Sequence, residues 1–227
     1  MSIFYGLKKI FLDLLFPAFC FGCRKEGVFL CPGCKVKLVW VQPTCFVCRK
    51  WVPASEKVVA GRTCLYCRKK SLVYAFFSPF LYSDPLIKDL IHGFKYSRLR
   101  SLADLLGELL VEYLARFKVN FPNKAILIPI PLFRDRFRIR GFNQSELVVR
   151  YLSDRLGIKS EMGILHKIRK TKAQVELSAE ERRNNLKDAF SVSSSDAVKG
   201  KVIILVDDVK TTGSTLEEAT GVLRVAG

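Results

Sequence analysis

The sequence predicts an α/β domain with a mainly parallel sheet flanked by helices, preceded by a small N-terminal metal-binding module. Three observations predict it. Short apolar runs at 125–130 and 201–206 alternate with segments of helical period. All eight cysteines fall before residue 68, each in a Cys-x-x-Cys pair. The 227 residues suit one main domain with an appendage, and a 49% hydrophobic content excludes a disordered chain. We therefore expect a module over residues 1–70 and the α/β domain over 71–227.

Residues 1–19 are apolar, but Lys8, Lys9 and Asp13 interrupt them, and the uncharged run is too short to span a bilayer. No small-residue cleavage site precedes Cys20, so a signal peptide is not expected. Leu7, Ile10, Phe11, Leu14 and Leu15 instead form one helical face, stopped by Pro17. We read a short amphipathic helix packed on its own protein, the alternative being peripheral contact with a membrane. No transmembrane span and a cytoplasmic location are the expectations.

The pairs are Cys20/Cys23, Cys31/Cys34, Cys45/Cys48 and Cys64/Cys67. A Cys-x-x-Cys turn brings two sulfurs together, and two such turns complete a tetrahedral metal site. Seven residues separate Cys23 from Cys31 and fifteen separate Cys48 from Cys64, spacings suited to a hairpin and to a zinc ribbon. A disulfide framework needs an oxidising compartment, and nothing in the sequence exports the chain. An iron–sulfur cluster would use the same ligands. We expect two structural zinc ions, paired between neighbours along the chain; spacing alone leaves a cross-braced pairing open. With sulfur at every position the metal does no chemistry. Losing Cys45 should then cost one zinc and leave the rest of the protein's binding untouched. No internal repeat is apparent beyond the cysteine pairs.

The formal charge is +17 with neutral thiols, and eight thiolates around two divalent ions lower it by only four. Residues 1–75 carry thirteen Lys and Arg against three acidic residues. That balance fits a nucleic-acid surface or, equally, a solvated basic face.

Residues 72–82 read as an aromatic strand, with Pro79 marking an edge. Helices are expected at 85–94, at 101–117 and at 143–156, the last after a Gly141-Phe142-Asn143 turn. A strand at 125–130 precedes the third helix. A basic polar segment starts at Leu165 and leads to a helical patch at 179–186. A parallel-type strand at 201–206 and a helix at 214–225 follow.

The most informative stretch joins those last two elements. Apolar residues 202–206 end in Asp207 and Asp208, and Thr211, Thr212, Gly213, Ser214 and Thr215 then open a helix. Free amides at a helix start, with neighbouring hydroxyls, hold a phosphate. Paired carboxylates accept hydrogen bonds from a diol and help hold a divalent cation. Phosphate and diol together describe ribose 5-phosphate. The stretch resembles the phosphoribosyl pyrophosphate (PRPP) motif of type I phosphoribosyltransferases at nearly every position. A Walker A loop is excluded, since its Gly-Lys-Ser/Thr ending is missing.

Pro129-Ile130-Pro131 followed by Arg134, Arg136, Arg138 and Arg140 suggests alternating guanidiniums past a strand end, suited to anionic oxygens. Arg169, Thr171, Gln174, Leu177, Arg182 and Asn185 form a further polar pattern. With the cysteine pairs, these make the chain resemble the ComF family of bacterial competence proteins from about Leu14 onward. The resemblance implies a phosphoribosyltransferase fold with an N-terminal zinc finger. It implies PRPP with Mg2+ as ligand, and a cytosolic role in natural competence that handles incoming single-stranded DNA beside the DNA-uptake machinery. Asp207 and Asp208 would hold the ribose hydroxyls, residues 211–215 the 5-phosphate and residues 129–140 the pyrophosphate. Residues 165–177 would close over the site. Two departures stand out. Thr211 occupies the place of the acidic base of purine-salvage relatives, and the fold usually adds one more strand after the position of Gly227. His92 and His166 have no catalytic partner legible in sequence and are read as ordinary imidazoles. Trp51 and Phe142 could stack on bases, with core packing the leading reading.

Overall fold

The computed structural model describes residues 17–53, 55, 58–97, 99–171 and 185–227. The expected helix at the N-terminus, Gln174, and residues 179–184 of the expected helical patch lie outside the described residues. Along the chain run α1 (Pro32–Lys35), α2 (Pro85–Tyr96), α3 (Leu102–Arg116), β1 (Ala125–Pro129), α4 (Arg134–Arg140) and α5 (Gln144–Leu156). They are followed by β2 (Lys159–Ser160), β3 (Leu165–Lys167), β4 (Phe190–Val192), β5 (Val202–Val206) and α6 (Ser214–Ala226).

The sheet is parallel, in the order β2-β1-β5, with Leu127 opposite Ile204 and Pro129 opposite Val206. Its side chains alternate between two cores, as strand geometry requires. Leu127, Ile204 and Val206 face Leu90 and Phe94 of α2, Leu102 and Leu109 of α3, and Val149 and Leu152 of α5. Ile126, Ile128, Ile203 and Leu205 face Leu165, Phe190, and Ala219 and Leu223 of α6. Both faces are covered, which is why β1 and β5 read as continuous apolar runs. Each fully buried Leu or Ile here contributes about 1.5–3 kcal/mol. Strands β3 and β4 form a separate antiparallel pair.

Local chemistry sets the helix starts. The Asp84 carboxylate accepts from the Ile87 amide at 3.1 Å, with Pro85 opening α2. Asn143 accepts from the Ser145 amide at 3.1 Å and donates to the Ile130 carbonyl at 3.0 Å, tying the start of α5 to the end of β1. Helices α3 and α5 meet at Gly107, where an added Cβ would lie 2.8 Å from Tyr151 Cγ. Gly107→Ala is expected to lower Tm by about 2–4 °C, because overpacking outweighs the gain in helix propensity by roughly 1 kcal/mol. Thermal melts check this; an unchanged or higher Tm would show that the two helices can separate freely.

One expectation is corrected. Residues 72–82 are extended but form no strand of the sheet. Their backbone bonds run to the cysteine-rich segment instead: Thr63 to Tyr74 at 2.7 Å, Phe76 to Gly61 at 3.0 Å and Val41 to Pro79 at 2.9 Å. Their aromatic rings pack there too, Phe80 on Trp40 at 4.7 Å and Phe76 on Phe46 at 5.5 Å. The arginines at 134–140 follow β1 along the chain. They lie on α4, ended by Gly141 at φ 77°, so the two-residue spacing fans them around a helix with no buried residue. Among the described residues, no helix is long and apolar enough to cross a membrane.

Candidate anion site and two four-cysteine clusters

The cysteines gather as neighbours along the chain, which settles the pairing. Cys20, Cys23, Cys31 and Cys34 form one group and Cys45, Cys48, Cys64 and Cys67 the other, with ligand atoms within 4.8 Å of one another in each. All eight are free thiols. The Cys23–Cys31 and Cys48–Cys64 sulfur separations are 3.5 and 3.8 Å, near the roughly 3.8 Å edge of a tetrahedron with 2.3 Å zinc–sulfur bonds. The Cys31 amide donates to Cys20 Sγ and the Cys64 amide to Cys45 Sγ, both at 3.4 Å. Burial opposes ionisation of Cys20 and Cys45, yet backbone amides aimed at the sulfurs bring each down to about 6. Burial and the neighbouring sulfurs push Cys34 and Cys67 up to about 12. Four thiolates this close need a cation between them, and the donor sets fit structural zinc.

The two clusters begin with the same hexapeptide pattern, Cys-Phe-x-Cys-Arg-Lys, at 20–25 and at 45–50. The turns are built alike. Arg24 and Arg49 take the left-handed conformation at φ 64° and 60°. Their amides donate to the Cys20 and Cys45 carbonyls at 2.9 and 3.0 Å. This repeat corrects the expectation that none extends beyond the cysteines. Its shared phenylalanine was the overlooked signal. Phe21 and Phe46 each face a glycine of another element, Gly93 in α2 and Gly213 before α6.

Strand β5 delivers Asp207 and Asp208 to the end of the sheet that also carries Pro129 of β1. Asp207 Oδ1 accepts from the Asp208 amide at 2.9 Å. The chain then turns through Gly213 at φ 87° into α6, where Thr212 and Ser214 share a hydroxyl contact at 2.9 Å. Burial raises Asp207 to about 7, with the Asp208 charge adding to it and Lys95 and Lys167 opposing it.

Sequence reading missed three lysines here. Lys95, in the last turn of α2, pairs with Asp208 at 2.7 Å, and both side chains are largely buried. Lys167 of β3 is brought down to about 8 by burial and by Arg136, while Asp207 pulls the other way. Lys210 donates to the Phe46 carbonyl at 3.0 Å, and its ammonium lies 4.6 and 4.9 Å from the Phe46 and Phe76 ring centres. Burial, then the charge of Arg49, holds it below its usual range. Lys95 lies in no motif, and Lys167 and Lys210 fall in stretches singled out for other residues; each acts through the fold that brings it in.

The other expected residues divide. Lys167 feels the charges of Arg136, Asp207 and Arg169. Arg140 donates to Gln144 at 2.9 Å and lies over the ring of Tyr96, next to Lys95. Arg134 lines a cavity of about 660 Å³ with Pro131, Phe133, Phe137, His166 and Lys167. Arg138 is exposed on the last turn of α4. Arg169 donates to the Asn185 and Lys187 carbonyls at 3.0 and 2.5 Å, and Thr171 is buried. His92 packs on Tyr96 at 4.5 Å. Phe142 is buried and Trp51 exposed.

No family model matches the chain, and no solved structure matches it. Curated relatives do. Competence protein F of Haemophilus influenzae is 38% identical over 151 residues, 64% of this chain and 65% of that protein. DNA utilization protein YhgH of Salmonella typhi is 36% identical over 144 residues, 63% and 62% of the two chains. Competence protein ComFC of Bacillus subtilis is 27% identical over 151 residues, 66% and 58%. The matched stretch thus spans less than two thirds of the length of these relatives. These similarities support assignment of the chain to the ComF family.

Proposed function

We propose that this protein binds PRPP with magnesium through residues 207–215 and supports natural competence by handling single-stranded DNA in the cytosol. The observation that carries the ligand reading is the paired carboxylate ending β5, followed at once by the Gly213 turn into α6. The turn into α6, with Thr211, Thr212, Ser214 and Thr215, takes the 5-phosphate, and Asp207 and Asp208 take the ribose diol. Lys95, Lys167 and Arg136 supply positive charge for the pyrophosphate, whose charge magnesium also offsets. In this reading residues 71–227 form a phosphoribosyltransferase-type domain, and residues 1–70 a module holding two structural zinc ions. Residues around Arg169, Thr171 and Gln174 close the site. The competence role is supported by the names of the relatives, and the DNA role by the net charge of +17. Arg138, Arg140 and the basic residues of the cysteine-rich segment are the candidate DNA contacts, with components of the uptake machinery as further partners.

The cavity beside Arg134 supports a second reading, that of a phosphoribosyltransferase. A nitrogen nucleophile seated there would attack C1 of the ribose as the C1–oxygen bond breaks and pyrophosphate leaves. Positioning and charge stabilisation would suffice for that step, so Thr211 in place of an acid is no obstacle.

Calorimetry with PRPP and magnesium, with and without single-stranded DNA, tests both readings. PRPP binding that changes when DNA is present is expected. Binding indifferent to DNA, with pyrophosphate released on adding a nucleophile, favours the transferase. No PRPP binding sinks both.

A further inference from the structure

We infer that the two metal clusters position the anion site, each through the phenylalanine of its Cys-Phe-x-Cys turn, which fills a glycine gap in an element bearing a site residue. This rests on reading residues 207–215 as the ligand loop.

The second cluster touches the loop directly. An added Cβ at Gly213 would overlap the Phe46 ring, with Phe46 Cε1 at 3.1 Å, so the ring occupies space that only a glycine leaves. The same residue's carbonyl holds Lys210 at 3.0 Å, and the Lys210 ammonium lies against both the Phe46 and Phe76 rings. Both sides of the loop, Lys210 before the turn and Gly213 within it, therefore lean on one residue between two metal ligands. The first cluster acts at one remove. Phe21 Cζ lies 2.6 Å from where a Cβ at Gly93 would stand. Two residues further along α2, Lys95 reaches Asp208. Lys35, just after Cys34, pairs with Glu108 and Glu112 of α3 and adds a second tie between this cluster and the helices.

The sulfur geometry makes these contacts rigid. A tetrahedral centre fixes the Cys-x-x-Cys turn, and the turn fixes the ring that projects from it. The expectation that losing Cys45 leaves the ligand site untouched is therefore withdrawn. Positioning also works in reverse: whatever orders the loop must tighten the hold on the second metal.

Hydrogen exchange on the full chain tests this, comparing wild type with Phe46→Ala and Phe46→Leu, metal content being read by native mass spectrometry. With both ions bound, Phe46→Ala is expected to speed amide exchange at 209–215 about tenfold and to weaken PRPP binding about tenfold. Phe46→Leu, which keeps most of the bulk, should restore both to within about threefold. Phe21→Ala should weaken PRPP binding while leaving exchange at 209–215 unchanged, since it acts through α2. Unchanged exchange in metal-loaded Phe46→Ala would overturn the inference. Should that variant lose metal or fail to fold, wild-type release of zinc to a zinc-selective chelator decides. Saturating PRPP and magnesium should slow release of one ion severalfold, and equal rates would overturn the inference. A wild-type protein that does not bind PRPP sinks the ligand reading alone, because exchange at 209–215 in Phe46→Ala and wild type still reports whether the ring holds the loop.

Discussion

With Asp207→Asn and Asp208→Asn together, PRPP binding is expected to fall about 100-fold or more, and Asp207→Asn alone should make the protein more heat-stable at pH 8. The first effect follows from losing charge-assisted hydrogen bonds worth about 1.5–3 kcal/mol each. The second follows from the direction of the Asp207 shift. Its folded value is raised from the usual carboxylate range to about 7, chiefly by burial and then by Asp208. Between about pH 4 and 7 the folded state keeps a proton that the unfolded chain has released. Stability therefore declines as pH rises through that window, and above pH 7 the folded state bears the full cost of the charge. An uncharged amide escapes it, by roughly 1–2 kcal/mol after allowance for partial exposure and for the Lys95 partner. For a chain of this size that raises Tm by a few degrees. Ligand binding runs the opposite way: wild-type affinity should rise between pH 6 and 8 as Asp207 ionises. Calorimetry across that range with melts at pH 5 and 8 checks both. Retained binding in the double variant would remove these carboxylates from the ligand site.

Lys95→Met should be the most damaging single change outside the cysteines. Lys95 and Asp208 are 2.7 Å apart with side chains only 15% and 14% exposed, and Asp207 stands beside them. Removing the ammonium leaves two adjacent carboxylates in a partly buried site, a loss of about 2–4 kcal/mol at pH 8. At pH 6 one of the pair retains a proton more readily, so the loss should be smaller. A Tm deficit that grows from pH 6 to pH 8, with PRPP affinity down at least about tenfold, is the expected pattern. An equal deficit at both pH values would mean that Lys95 contributes packing rather than charge.

Much of this arrangement was legible in the sequence, for physical reasons that can be named. Strands β1 and β5 are covered on both faces, so they carry uninterrupted apolar runs. Helices α2, α3, α5 and α6 announced themselves by period, and α5 also by the Gly141-Phe142-Asn143 turn before it. The cysteine groups followed from a spacing that only a few ligand geometries satisfy. Residues 72–82 misled because aromatic, extended chain has the composition of a strand whichever partner supplies its hydrogen bonds. Lys95 could not have been singled out at all. A lysine at a helix end is ordinary, and it matters only because packing of α2 brings it to Asp208, more than a hundred residues away along the chain.

The cysteines of the first cluster share a core with the helices: Cys20, Cys31 and Cys34 lie among Leu30, Leu90, Phe94 and Leu102. A newly synthesised chain that has not acquired metal would have to bury reactive, mutually repelling thiols to complete that core. With zinc as the ion both clusters take, metal capture and assembly of the helical layer would be one event in the protein's biogenesis. In a zinc-starved cell the shortage would be felt first as fewer mature molecules, through degradation of chains that never close, rather than as a full complement of impaired ones.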